Sequence, residues 1–370
     1  LTPESSIVAL SFHPLTVAQR TEETQDSVSI ALAVPPELRD AFRFRAGQFL
    51  TLKAQIDGRE ERRSYSICVS QDAYEAHGHL RVGIKRVAGG RFSNWANEHL
   101  LPGQMIEVMT PDGRFTTATN AQRAQHYVGF AGGSGITPMM SLIGTVLADE
   151  PRSHFTLIYG NRSMRSIMFL EQLEGLKNRY LGRLRLYHVL SDDHQEVELF
   201  NGLLDQAKCT AFLEQLVPAS TIDEAFICGP EPMMNAAEAA LLEGGVPRER
   251  IRIERFGVPL PSGAPKAVAP VAPSGSDYEV ILLADGKSRK LKVPAQGVSI
   301  LDAGLAAGVD LPYACKGGVC CTCRAKVIEG EVVMDKNYTL EPAEVAAGFV
   351  LTCQCHPRSE RVVLSYDERL

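Results

Sequence analysis

The stretch CKGGVCCTC, Cys315 to Cys323, puts four thiols into nine positions of a 370-residue chain that has only nine cysteines. The rest of the composition is ordinary. Hydrophobic residues make up 45% and charged residues 22%, enough to fill cores in two to three domains. The formal net charge of −6 offers no basic face for a polyanion, so no nucleic-acid partner is expected. No apolar run reaches about 18 residues, so no membrane span is expected. The opening residues LTPESSIVALSF lack a basic region and a long apolar core, which argues against a signal peptide and for a cytoplasmic protein. A disulfide framework is not expected in that setting, and clustered cysteines there point to metal.

Cys315, Cys320 and Cys323 stand in C-x4-C-x2-C spacing, and Cys353 follows after 29 intervening residues. This pattern suits a [2Fe–2S] cluster, in which four thiolates converge on two irons. Gly317 and Gly318 let the loop bend around such a cluster. Cys321 and Cys355 then remain as packing residues. The alternative is a zinc knuckle of Cys320, Cys323, Cys353 and Cys355, which leaves Cys315 without a role. The longer string CKGGVCCTCRAKVIEGEVVMDKNYTLEPAEVAAGFVLTCQ carries a resemblance. Residues 278–366 resemble a plant-type ferredoxin domain, and the string is similar to the reductases of phenylacetyl-CoA epoxidases. The resemblance implies an α+β, β-grasp domain in which Cys315 and Cys320 hold one iron and Cys323 and Cys353 the other.

Working outward, residues 259–276, PLPSGAPKAVAPVAPSGS, carry five prolines and read as an extended linker. After it, YEVILLADGKSRKLKV (278–293) reads as a hairpin around Asp-Gly. Before residue 117, short segments alternate with period two: 27–34, 47–54, 62–69, 79–87 and 105–109. Together they suggest a small antiparallel barrel. Beyond 117, strand-like runs at 126–131, 154–160, 183–190 and 224–229 alternate with helical ones, as in a parallel α/β sheet. The expected domains are therefore 1–117, 118–258, the linker 259–276, and 277–370.

Two segments of the first domain carry charge and aromatic chemistry. In RSYS (63–66), alternation puts Arg63 and Tyr65 on one face and Ser64 and Ser66 on the other. Arg63 can pair with a phosphate, and Tyr65 can stack on a ring. In GGRFSNWANEHL (89–100), Gly90 and Ser93 open an amphipathic helix, an anion site by its free N–H groups; the plain reading is a Ser cap. Both segments resemble the ferredoxin–NADP reductase superfamily. That resemblance implies FAD, with Arg63 on its phosphate, Tyr65 against the isoalloxazine and Ser66 near the nitrogen that accepts hydride. It also implies Gly90, Phe92 and Ser93 around the pyrophosphate, and Ser64, Ile84 and Lys85 lining the pocket.

In the second domain YVGFAGGSGITPMMSL (127–142) reads as strand, glycine turn and helix, with Thr137 as the expected cap. Gly133 and Gly135 permit close approach of a pyrophosphate. Pro138 stands where a G-x-G-x-x-G fingerprint wants glycine, a departure that matches the resembled superfamily. CGPEPMM (228–234) follows the last strand. By resemblance Cys228 lies beside the reacting nicotinamide carbon and Gly229 against the ribose phosphate, while Glu254 and Phe256 shield the flavin. After TLIYG come Asn161, Arg162, Ser163 and Arg165, with no acid before Glu171, which favours the 2′-phosphate of NADPH.

The reaction residues expected are Tyr65, Ser66 and Cys228. The chain as a whole is expected to pass electrons from NADPH through FAD and [2Fe–2S] to di-iron oxygenase subunits that epoxidise phenylacetyl-CoA, by transient docking. A steroid hydroxylase or a hybrid-cluster protein is an alternative acceptor, and a redox sensor or zinc module is a reading of another class. Lys316, Val319 and Thr322 are the expected contact points beside the cluster.

Overall fold

The computed structural model describes residues 11–256, 277–284, 286–294 and 297–368. The expected linker 259–276, and Asp285 of the expected Asp-Gly turn, lie outside the described residues. The chain forms two compact units, one ending at Arg255 and one beginning at Phe256.

The first unit opens with β1 (Phe12–Thr24), β2 (Ser27–Ala33), β3 (Phe49–Ile56), β4 (Arg59–Ser66), α1 (Gln71–His77), β5 (His79–Lys85), α2 (Arg91–His99) and β6 (Met105–Met109). The six strands form one antiparallel sheet in the order β4-β3-β6-β1-β2-β5. A bridge between Ile67 and Val82, and the Cys68 N–H to the Arg81 carbonyl, join its two edges, so the sheet closes into the expected barrel. Alternate residues fill the inside, among them Leu15, Val17, Ile30, Leu32, Leu50, Leu52, Val82, Ile84 and Val108. The long strand β1 is absent from the sequence expectation. Its sequence FHPLTVAQRTEET buries only Leu15 and Val17 fully, and Pro14 reads as a breaker. Pro14 is tolerated because β1 meets only β6 there; pairing with β2 begins at Thr16.

The same unit continues with β7 (His126–Gly132), α3 (Ile136–Asp149), β8 (His154–Asn161), α4 (Leu170–Arg179), β9 (Leu184–Leu190), α5 (Gln206–Gln215), β10 (Glu224–Cys228), α6 (Glu231–Glu243) and β11 (Ile251–Glu254). The sheet is parallel throughout, in the order β11-β10-β7-β8-β9. Every residue of the central β7 is buried, as expected for a strand covered on both faces. Tyr127, Phe155, Leu157 and Tyr159 pack on the α3 side, and Val128, Phe130 and Ile158 on the side of α5 and α6. Barrel and sheet meet closely. The Gln71 N–H donates to Thr145 Oγ1 at 3.1 Å, and the Phe169 N–H donates to Glu23 at 3.3 Å.

The second unit holds β12 (Tyr278–Ala284), β13 (Lys287–Val293), α7 (Ile300–Ala306), β14 (Arg324–Glu329), β15 (Val332–Met334), α8 (Pro342–Ala346), β16 (Phe349–Leu351), β17 (Cys355–Pro357) and β18 (Arg361–Ser365). Its mixed sheet runs β13-β12-β18-β14-β16, with β12 and β18 parallel, and β15 pairs with β17 apart from it. Leu282, Ile300, Leu301, Leu311, Leu351 and Leu364 pack its core.

Candidate functional site

The long loop between α7 and β14 carries Cys315, Cys320 and Cys323, and a single turn after β16 carries Cys353. Its cysteine-bearing part, Cys315 to Cys323, is bent by three left-handed residues: Lys316 at φ 50°, Gly318 at 78° and Cys321 at 58°. Gly318 is also closely packed, since a Cβ there would press on the Lys336 carbonyl at 3.2 Å. Cys353 is tied to Cys323 by Thr352, whose N–H and hydroxyl both donate to the Cys323 carbonyl, at 3.1 and 2.9 Å. Tyr366 in turn donates to Thr352 Oγ1 at 2.8 Å.

The thiols pair two and two. Cys320 bonds Cys315 and draws its thiol down to about 5, helped by the N–H groups of Gly317, Val319 and Cys320. Cys323 bonds Cys353 and lowers it likewise, while Cys320 and Cys323 are both raised. Two thiol pairs with backbone N–H groups aimed at sulfur fit two bridged irons, with Gly317 N–H 3.3 Å from Cys315 Sγ. The zinc alternative needs Cys355 in place of Cys315. Cys315 belongs to one of the pairs, whereas Cys355 is buried in the core and belongs to neither. Cys321 bonds Thr339 Oγ1 at 3.2 Å.

The structure corrects the expected contact points. Val319 and Thr322 are buried and cannot meet a partner. Lys316 is exposed, but it is paired with Asp302 at 2.7 Å and lies over the Tyr313 ring at 4.7 Å. An exposed aromatic neighbour of the loop is Tyr338, whose N–H donates to the Gly318 carbonyl.

In the barrel, β4 pairs with β3 so that Arg63 faces Leu52 and Tyr65 faces Leu50. Ser66 is buried and Arg63 is half exposed. Ser64 lies 3.3 Å from Thr51 Oγ1 across the same pair of strands. Tyr65 leans on Phe92 with ring centroids 5.8 Å apart, and burial pushes its phenol up against the pull of Arg63. Helix α2 begins with Gly90 as its cap, not with Ser93. A Cβ at Gly90 would stand 2.7 Å from Ser93 Oγ, so a larger residue there would have to turn the Ser93 hydroxyl aside. Ser93 Oγ accepts the Val87 N–H at 3.1 Å. Phe92 and Ile84 are buried in the barrel core. Lys85 pairs with Asp26 at 3.5 Å.

Sequence reasoning missed Arg91. It is the first residue of α2, and it shares Glu61 with Arg63, at 3.6 and 3.1 Å. Two guanidiniums beside the start of a nine-residue helix, next to an aromatic platform, make a cradle that fits the diphosphate and ring of FAD. The signal was present as a cation directly after the helix-opening glycine.

In the parallel sheet, the turn Gly133–Gly135 and the end of β10 meet backbone to backbone. A Cβ at Gly135 would stand 2.0 Å from the Cys228 carbonyl oxygen, and one at Gly229 would stand 2.9 Å from the Gly132 nitrogen. The structure thus brings Gly133, Gly135, Cys228 and Gly229 together. Cys228 is fully buried beside Ala131 and Glu254 in register. Burial, with Glu254 adding to it, holds its thiol well above the usual range, so it is a neutral S–H. Thr137 does not cap α3. Gly135 is the cap, and the Thr137 hydroxyl donates to the Ser134 carbonyl at 3.1 Å. Phe256 is 46% exposed.

The turn after β8 is less free of acids than its sequence suggests. Arg162 lies 3.7 Å from Asp26, and the Met164 N–H donates to Asp193 at 2.8 Å. Ser163 is engaged in a capping box with Ser166. Arg165 is exposed and makes no ion pair among the described residues.

Comparison with known proteins accords with these three sites. Residues 14–117 match the oxidoreductase FAD-binding domain, 130–239 the oxidoreductase NAD-binding domain, and 282–358 the 2Fe-2S iron-sulfur cluster binding domain. The chain is 46% identical to a subunit of the 1,2-phenylacetyl-CoA epoxidase of Escherichia coli (strain K12), over 97% of this chain and 99% of that one. It is 36% identical to the ferredoxin reductase component of 3-ketosteroid-9-alpha-monooxygenase from Rhodococcus rhodochrous, over 95% of this chain and 96% of that one. Among solved structures, phthalate dioxygenase reductase superposes with a TM-score of 0.57 at 23% identity, covering 96% of this chain and 98% of that one.

Proposed function

Because the chain belongs to the family of oxygenase reductases that join an FAD-binding, an NAD-binding and a 2Fe-2S domain, we propose that it draws electrons from NADPH and delivers them to the di-iron subunits of a phenylacetyl-CoA epoxidase. The domains are taken as 1–117, 118–258 and 277–370. The observation that carries the partner is the 46% identity over nearly the whole of both chains. When bound, FAD supplies hydride acceptance in a two-electron step and [2Fe–2S] supplies one-electron transfer.

The chain's own residues have separate tasks in this reading. Arg63 and Arg91 neutralise the flavin diphosphate, and Tyr65 orients the ring. Ser66, buried at the end of β4, holds a hydroxyl toward the reacting nitrogen. Gly133 and Gly135 admit the nucleotide's pyrophosphate, and Gly229 its ribose phosphate. Cys228 presents a neutral thiol at the reacting end, where a thiolate would repel a hydride. Arg162, Ser163 and Arg165 receive the 2′-phosphate, and Thr137 supports the glycine turn. Cys315, Cys320, Cys323 and Cys353 hold the cluster.

The test is a coupled reaction. The protein, NADPH, the oxygenase subunits and phenylacetyl-CoA are mixed, and the epoxide is followed by mass. Product formed only when the protein is present supports the reading. Brisk dye reduction without any epoxide would leave the reductase and remove the partner. A ketosteroid oxygenase is the second acceptor to try, given the 36% identity to its reductase.

A further inference from the structure

Asp26 sits at the tip of the β1–β2 hairpin of the barrel, yet its carboxylate reaches the turn after β8 of the parallel sheet. Its Oδ2 lies 3.7 Å from Arg162 Nη2 and 3.5 Å from Lys85 Nζ, and its Oδ1 accepts the Thr24 hydroxyl at 2.8 Å. The Arg86 N–H donates to its carbonyl at 2.8 Å, which fixes the backbone of the hairpin tip. Glu23, the nearest other acid of the hairpin, is committed to Ser29 Oγ and the Phe169 N–H. Asp26 is therefore the anion that Arg162 meets.

We propose that Asp26 is a specificity-determining residue of the nucleotide site. It holds Arg162 as a resident anion that the 2′-phosphate of NADPH must displace and that NADH leaves in place. This rests on the assignment of Arg162 to the 2′-phosphate. Three observations carry it. The Arg162 side chain is 69% exposed and its pair is long, so the guanidinium exchanges partners at little cost. A phosphate dianion offers more charge and more acceptor oxygens than one carboxylate, and so wins the exchange. Asp26 has Lys85 as a second cation and is not stranded when Arg162 turns away. The discrimination for NADPH is thus the gain on the phosphate less the loss of Asp26.

The experiment measures KM for NADPH and NADH in flavin-loaded full-length protein with a dye acceptor, for wild type, Asp26→Asn, Arg162→Ala and the double variant. Asp26→Asn should lower the KM for NADPH about two- to fivefold and leave that for NADH in place. In the Arg162→Ala background, Asp26→Asn should lose this effect, which a merely structural role would not do. Inhibition by adenosine 2′,5′-bisphosphate should tighten in parallel, and inhibition by adenosine 5′-phosphate should not. Equal shifts for both nucleotides, or none, with Arg162→Ala still penalising NADPH, overturn the role of Asp26. An unchanged NADPH-to-NADH ratio in Arg162→Ala overturns the Arg162 assignment and this proposal with it.

Discussion

The Tyr159 hydroxyl donates to the carbonyl of Gly133 at 2.8 Å, and Gly133 is held left-handed at φ 51°. Tyr159 is buried in β8 beneath the glycine turn, and burial keeps its phenol protonated far above neutral pH. The bond turns the Gly133 carbonyl inward, away from an incoming phosphate. Tyr159→Phe should cost about 0.5–1.5 kcal/mol of this interaction. The KM for the nicotinamide nucleotide should rise about two- to tenfold, with less change in kcat and none in flavin content. Steady-state dye reduction beside the flavin spectrum checks it.

Gly135 admits no side chain. A Cβ there would lie 2.0 Å from the Cys228 carbonyl oxygen, a backbone atom that cannot turn away. Gly135→Ala should separate the two loops and abolish NAD(P)H-dependent dye reduction, with a stability loss of about 1–3 kcal/mol or more. Gly133→Ala is the contrast. It meets nothing within 4 Å but must hold φ 51°, a strain of about 1–2 kcal/mol. It should weaken nucleotide binding without ending turnover. Equal activity in the two variants would mean that the contact with Cys228 is not what sets the site.

How much of this was legible beforehand depended on whether the signal was local. The thiols of 315–323, the strand 105–109 and the turn before α3 were readable because spacing and glycine carry their meaning along the chain. Strand β1 was not, because its polar residues are ordered by partners on both sides rather than by an apolar alternation. Helix starts were displaced by up to three residues. Ser93 and Thr137 have the hydroxyls of caps, but glycine backbone packing places Gly90 and Gly135 at the caps instead. Asp26 beside Arg162, and Arg91 beside Arg63, are meetings made by the tertiary fold, 136 and 28 residues apart in the chain, and no pattern along the sequence announces them.

His126 supplies a pH dependence. It is buried at the start of β7, stacked on His154 at 4.2 Å, with its ring nitrogens on Thr221 and Thr156 at 3.1 and 2.9 Å. Burial first, then His154 and Arg185, lower its pKa from 6.5 to about 4. The folded state thus binds fewer protons than the unfolded state between these values, so stability falls as pH drops from about 6.5 toward 4. The loss from this group is about 2–4 kcal/mol at the acid end. Urea midpoints for wild type and His126→Gln should differ in slope across pH 7 to 4.5, with the variant flatter. Parallel curves would place the acid sensitivity elsewhere.

The last prediction separates the two adjacent thiols of the cluster loop. Cys320 is buried and bonded to Cys315, whereas Cys321 turns to Thr339 at φ 58°. Cys320→Ser should give a protein without the brown colour and with far fewer than about two irons per chain. Cys321→Ser should keep both, since a hydroxyl can meet Thr339 Oγ1 as the thiol does. Cys321→Gly tests the backbone. Glycine removes left-handed strain of about 1–2 kcal/mol, but it adds unfolded-state freedom worth about 0.4–1 kcal/mol. The lost bond to Thr339, about 0.5–1.5 kcal/mol, offsets the rest, so the net change in stability should be within about 1 kcal/mol of zero. Iron content, visible absorbance and the thermal midpoint of the isolated holoprotein read all three variants. A colourless but folded Cys321→Ser protein would reverse the ligand assignment, because the four sulfurs would then have to be drawn from a set that includes Cys321.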